Sequence, residues 1–206
     1  MSKKTSVYWA LALTVLMLAS VVAGCGGDKK PAPAAATDIK IGANWELTGG
    51  QATFGQSSVN GAKLALKEVN AAGGVLGKKI TLVVADNKSE PSESTNAITK
   101  LITQDKVVAV LGAVTSSNTL AASPVAHANK VPFVSNTATN PKVTVEDGKV
   151  KPFAFRACFI DPFQGTVMAN FASKSMKVKT AAIYVDQSSD YAKGLAQFFE
   201  EGFVKA

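Results

Sequence analysis

The chain has 206 residues, 47% of them hydrophobic, with a formal net charge of +7, two cysteines and one histidine. That length holds one or two domains with a sizeable core. The basic residues are scattered, with a single arginine, Arg156, and no basic run interleaved with aromatics, which argues against a nucleic-acid interface.

The N-terminus is a separate unit. Lys3 and Lys4 precede an apolar segment from Val7 to Val22, which closes on Val22-Ala23-Gly24-Cys25. A basic start, an apolar middle and small residues at the end describe a secretory signal; an uncleaved membrane anchor is the alternative. Val-Ala-Gly-Cys resembles the lipobox of bacterial lipoproteins, which implies cleavage after residue 24 and a lipid on the Cys25 sulfur. Residues 25–37 contain Gly26-Gly27, Pro31, Pro33 and an alanine run, and read as a flexible tether. The folded part is expected from Asp38 onward. Cys158 is then left without a partner for an intramolecular disulfide, and is expected to be a buried, unreactive thiol.

From Asp38 the chain alternates strand and helix patterns. Ile39, Ile41 and Ala43 predict a first strand, followed by a loop from Asn44 to Gly55. Val59, Ala62, Leu66 and Val69 recur at helical spacing until Gly73-Gly74 stops the helix. Ile80 to Ala85 is a second strand, and Pro91 opens a helix running to about Gln104. The apolar run from Val107 to Val114 is a third strand, suited to burial on both faces, and it opens into Thr115-Ser116-Ser117-Asn118. These side chains are good N-caps for a following helix, expected over about Thr119 to Asn129. They either do no more than cap it, or hold a carboxylate or phosphate at its N-terminus. Val131 to Val134 is a fourth strand and opens into Ser135-Asn136-Thr137-Ala138-Thr139-Asn140-Pro141. Repeated strand and helix units imply right-handed crossovers, hence an α/β fold with a doubly wound parallel sheet that binds ligand at the carboxyl ends of its strands.

Past Pro141, residues 142–151 read as a surface connection before a strand over Phe153 to Phe159. A helix from Gln164 to about Met176, a strand Thr180 to Val185 and a helix Ala192 to Val204 follow. Catalysis finds no support. The turn after the first strand, Gly42-Ala43-Asn44-Trp45-Glu46-Leu47, does not supply a dinucleotide fingerprint. His127 sits alone in a helix, and no Ser/His/Asp set or metal-ligand cluster is evident. No enzyme activity and no cofactor are expected.

Several stretches taken in order carry a family resemblance: Leu47-Thr48-Gly49-Gly50 with Phe54-Gly55; Asn60-Gly61-Ala62 leading to Gly73-Gly74; Gly112-Ala113-Val114-Thr115-Ser116-Ser117; and Thr137-Ala138-Thr139-Asn140-Pro141. They resemble the type I periplasmic-binding fold, a Rossmann-like, two-lobed Venus flytrap, and in particular the branched-chain amino-acid binding proteins of ABC importers. The resemblance implies that Ser116 and Thr139 bond a ligand carboxylate. It further implies that the Thr137 carbonyl accepts from the ligand ammonium, and that Phe54 and Trp45 wall the side-chain pocket. Tyr191 matches the tyrosine that closes from the second lobe. Residues 38–155 would then be the N-terminal lobe, and residues 156–206 the first hinge crossover with an incomplete second lobe. Members of this family are about twice as long, so a partial product is expected, lacking the acidic partner of the ammonium. The implied partners are an amino acid, a membrane permease and, through Cys25, the lipid bilayer, for a monomer held at the outer face of a membrane or in the periplasm. The alternatives are a ligand-sensing regulator of the same fold, for an amide or organic acid, and a non-functional truncated fragment.

Overall fold

The computed structural model describes residues 38–206. The expected signal, Cys25 and the tether lie outside them. The strands in chain order are β1 (Ile39–Trp45), β2 (Ile80–Asp86), β3 (Ala109–Gly112), β4 (Phe133–Ser135), β5 (Val145–Glu146), β6 (Lys149–Val150) and β7 (Ala154–Arg156). The helices are α1 (Ala52–Ala71), α2 (Pro91–Thr103), α3 (Ser116–Ala128), α4 (Asp161–Asn170) and α5 (Asp190–Lys205). Five strands pair in parallel in the order β2-β1-β3-β4-β7, while β5 and β6 form a separate antiparallel hairpin. The expected α/β doubly wound parallel sheet is therefore present.

Two apolar clusters cover the sheet. One joins Ile98, Leu101 and Ile102 of α2 and Ala122 and Ala126 of α3 to Val107, Val110 and Phe133. The α2 residues Ser94, Ala97, Ile98, Leu101 and Ile102 are buried at helical spacing, and Pro91 starts the helix where no N–H is needed. Full burial of Leu101 or Ile98 contributes about 1.5–3 kcal/mol each. The second cluster packs Val59 of α1 on Ala43, Trp45 and Val114. The chain order reverses between β1 and β3, which leaves a crevice at their carboxyl ends.

Beyond β7 the structure departs from the expected elements. The strand within the expected Phe153–Phe159 run is shorter, Ala154–Arg156, with Phe153 and Ala157 adding backbone hydrogen bonds to β4 at its two ends. The next helix begins earlier than expected, at Asp161, where Pro162 occupies the first turn. It continues past Asn170 as a π-helical turn, Phe171–Ser175. Thr180 to Val185 is not a strand: among the described residues no neighbour pairs with it, and Tyr184 is fully exposed. An apolar, β-branched run becomes a strand only where a ladder partner exists. The α4–α5 pair is close, since a Cβ on Gly165 would lie 2.7 Å from the Phe198 Cβ. Two helices alone cannot enclose a core, and Phe163, Phe171 and Ile183 are exposed.

Candidate functional site

The crevice at the strand ends is a cleft of about 440 Å³. Its walls come from the N-terminus of α1 (Gln51, Phe54), the β3–α3 loop (Val114, Thr115, Ser116) and the β4 loop (Thr137, Thr139). Cys158, Phe159, Gln164, Ser189 and Tyr191 close it from the far side. Among the described residues, no charged side chain lines it.

Each loop is anchored from behind. Asp86, at the end of β2, accepts from the Leu47 N–H (2.9 Å), the Thr48 N–H (3.2 Å) and the Thr48 hydroxyl (2.6 Å), fixing the turn before α1. Partial burial works against its charge, but the Thr48 hydroxyl and the surrounding N–H groups outweigh it and lower its pKa below the ordinary value. In the β3 loop, Gly112 has φ +115°, and an added Cβ would meet the Asn44 carbonyl oxygen at 2.0 Å, so only glycine fits this turn. Thr115 caps α3, its hydroxyl accepting from the Asn118 N–H.

The β4 loop is held from two directions. The Ser135 hydroxyl donates to the Ala113 carbonyl (2.7 Å) and accepts from the Ala138 N–H (3.0 Å), tying this loop to the previous one. Arg156 donates to the carbonyls of Ala138 (3.0 Å), Asn140 (2.9 Å) and Pro141 (3.0 Å) and to the Thr144 hydroxyl (2.7 Å). The one guanidinium thus frames a binding loop from behind instead of entering the cleft.

Chemically, the cleft offers donors. Ser116 and Ser117 start α3, and their N–H groups have no partner among the described residues, as at any helix start. The Ser116 oxygen accepts from the Asn140 N–H at 3.3 Å, leaving its own proton to give. The Thr139 hydroxyl is buried and makes no bond, while that of Thr137 donates to the Val114 carbonyl (2.8 Å). The N-terminus of α5 arrives from the other side: the Asp190 N–H donates to the Ser117 hydroxyl (3.0 Å), and the Asn140 amide to the Asp190 carbonyl (2.8 Å). Gln164 donates to the Tyr191 hydroxyl (3.0 Å) and fixes that ring. Neutral donors at a helix N-terminus suit a carboxylate.

Ser116, Thr137, Thr139, Phe54 and Tyr191 therefore converge on one cleft. Trp45 does not reach it. It is 3% exposed, packed in the core beside Val59, with its indole N–H on the Asn136 side-chain oxygen at 3.2 Å. The residue follows the inward register of β1, and that decides its direction. Cys158 is half-buried in the cleft wall, not enclosed in the core. Burial raises its thiol pKa, with Arg156 acting in the opposite direction. Gln51, Phe159, Gln164 and Ser189 were not expected in the cleft; they come from loops and helix starts with no composition signal. His127 is exposed and stands edge-on to Phe153 at 5.9 Å.

Known proteins agree with this architecture. The family described as periplasmic binding protein matches residues 38–203. A Leu/Ile/Val-binding protein homolog from Brucella melitensis biotype 1 is 37% identical over 84% of this chain and 46% of its own length. The branched-chain amino acid transporter substrate-binding protein LivJ from Streptococcus pneumoniae, solved with isoleucine, aligns with a TM-score of 0.75 and 42% identity over 81% of this chain and 47% of that one. A solute-binding protein of an ABC transporter from Rhodopseudomonas palustris BisB5, in complex with 3,4-dihydroxybenzoic acid, aligns with a TM-score of 0.70 and 29% identity over 82% of this chain and 44% of that one. The chain spans about half the length of the relatives it matches. With both the strand order and a match over most of its residues in agreement, the chain belongs to the periplasmic binding protein family.

Proposed function

We propose that this chain contributes the ligand-capturing lobe of an extracytoplasmic solute-binding component of an ABC importer, and that its ligand is an amino acid, branched-chain in preference. The carrying observation is the uncharged cleft in which Ser116, Thr137 and Thr139 face Phe54 and Tyr191. In this reading the carboxylate sits on the Ser116 and Thr139 hydroxyls and the free N–H groups of α3, the Thr137 carbonyl takes the ammonium, and Phe54 with Phe159 meets an aliphatic side chain. Closure swings residues after the 156–161 crossover over residues 38–155, and the closed form is presented to a permease. Residues 1–24 act as an export signal and Cys25 carries the lipid, which keeps a monomeric binder at the membrane. The reading involves no enzyme chemistry.

A second reading follows from the same lining. No acidic side chain faces the cleft among the described residues, so an organic acid without an ammonium, such as a hydroxybenzoate, meets the same donors.

The test is thermal unfolding of residues 26–206, which omit the Cys25 lipidation position, against L-leucine, L-isoleucine, L-valine and 3,4-dihydroxybenzoate. A Kd of about 1 μM corresponds to about −8.2 kcal/mol, and half of that leaves a Kd of about 1 mM. At about 10 mM ligand such a site adds about 1.4 kcal/mol, a rise of about 3–6 °C in Tm. A rise with the aliphatic amino acids supports the first reading, a rise with the benzoate alone supports the second, and no rise with any of them refutes both.

A further inference from the structure

The buried carboxylate of Glu46 takes no part in lining the cleft, yet it collects four donors from the loop that does. Its side chain is 0% exposed. One oxygen accepts from the Val114 N–H (3.0 Å); the other accepts from the Thr115 N–H (3.1 Å), the Thr115 hydroxyl (3.1 Å) and the Asn118 amide (2.8 Å). A buried charge persists when it is met by several good hydrogen bonds. Every donor here belongs to the segment from Val114 to Asn118.

The distribution of these bonds decides what the loop shows to the cleft. Glu46 takes up the N–H groups of residues 114 and 115, and those of Ser116 and Ser117 are the next along the chain and stay unbonded. It also fixes the Thr115 proton toward itself, so that the oxygen can accept from the Asn118 N–H and cap α3. The Asn118 amide then bridges from Glu46 to Asn87 (3.3 Å), and Asn87 donates to Asn44 (3.2 Å), which ties the loop to β1 and the end of β2. From this geometry we infer that Glu46 is the positioning residue of the binding loop, setting the direction of the Ser116 and Ser117 donors without touching ligand. The ligand arm of this inference rests on the proposed function; the loop arm does not.

The test uses the full chain, purified in mild detergent, as wild type, Glu46→Gln and Ile98→Val. Gln keeps the volume but turns one acceptor oxygen into a donor facing donors. Ile98→Val, in the core under α2, lowers stability without touching the loop. The first readout is amide hydrogen exchange without ligand. Exchange at Val114 and Thr115 is expected to be at least about 10-fold faster in Glu46→Gln and close to wild type in Ile98→Val, a contrast that general destabilisation does not produce. The second is titration with L-isoleucine, where Glu46→Gln is expected to weaken affinity at least about 10-fold, equivalent to about 1.4 kcal/mol, and Ile98→Val to leave it unchanged. Unchanged exchange in Glu46→Gln, or equal acceleration in both variants, overturns the inference. If wild type binds none of the ligands, the proposed function falls while the exchange result still decides on Glu46. Should Glu46→Gln fail to fold, Asn118→Ala removes the shortest of the four bonds and keeps the charge. Faster Thr115 exchange there supports the inference, and unchanged exchange overturns it.

Discussion

Replacing Asp161 with Asn should stabilise the protein, and by more as pH rises. Asp161 is 0% exposed, and neither carboxylate oxygen has a hydrogen-bond partner among the described residues. Burial pushes its pKa above the ordinary carboxylate value. The Thr139 hydroxyl, which lies beside it without bonding geometry, and the Arg156 guanidinium both favour the ionised form but do not reverse the shift. A folded chain that holds this proton to higher pH than the unfolded chain has the full benefit below the ordinary carboxylate range. It loses that benefit as pH rises through the raised value. An unpartnered buried polar group costs about 1–3 kcal/mol, and more when charged. Against this stands the favourable position of a carboxylate in the first turn of α4, worth about 0.3–1 kcal/mol. The Asn amide keeps the neutral part of the burial cost and removes only the excess due to the charge. That excess outweighs the lost helix-start interaction, so Asp161→Asn should gain about 1–2 kcal/mol at pH 8, about 2–8 °C in Tm for a domain of this size. Thermal unfolding of both proteins from pH 4 to pH 8 is the assay. An advantage that does not grow with pH, or a variant less stable than wild type at pH 8, would refute the reasoning.

Arg156→Lys should lose about 2–3 kcal/mol, because a single ammonium cannot reach three carbonyls and a hydroxyl in one plane; denaturant unfolding measures it. Gly194→Ala places a methyl 2.9 Å from the Asn140 amide nitrogen and 3.0 Å from an Asp161 oxygen. It should cost about 1–3 kcal/mol and speed amide exchange at Asp190, whose N–H is held by Ser117. Trp45→Phe should lower stability by about 1–2 kcal/mol through the lost Asn136 bond and volume, with ligand preference unchanged. Phe54→Ala, at a residue 58% exposed in the cleft wall, should change stability by less than about 0.5 kcal/mol and alter the ranking of ligands in the thermal assay.

The local pattern of the chain determined its frame. Alternating apolar runs and helical periodicity place β1 to β4 and α1 to α3 within a few residues, because burial on a two-sided sheet demands those runs wherever they fall. The polar ends of β3 and β4 point to a cleft only by their recurrence: hydroxyl residues at one helix start are accounted for by capping, as Thr115 caps α3, whereas two such strand ends side by side suggest a binding site. Direction, by contrast, was not legible. Trp45 lies next to a binding loop in sequence, but strand register turns it into the core, and Phe54, nine residues on, faces the cleft. Thr180 to Val185 has the composition of a strand and lacks a ladder partner among the described residues. The charged residues behind the loops, Glu46, Asp86 and Arg156, are invisible in any local window, since each gathers donors or acceptors from a different stretch of chain. Composition and periodicity are properties of neighbours in sequence, so they fix the elements. Which side chains meet across the ends of those elements is decided only when the sheet brings distant loops together.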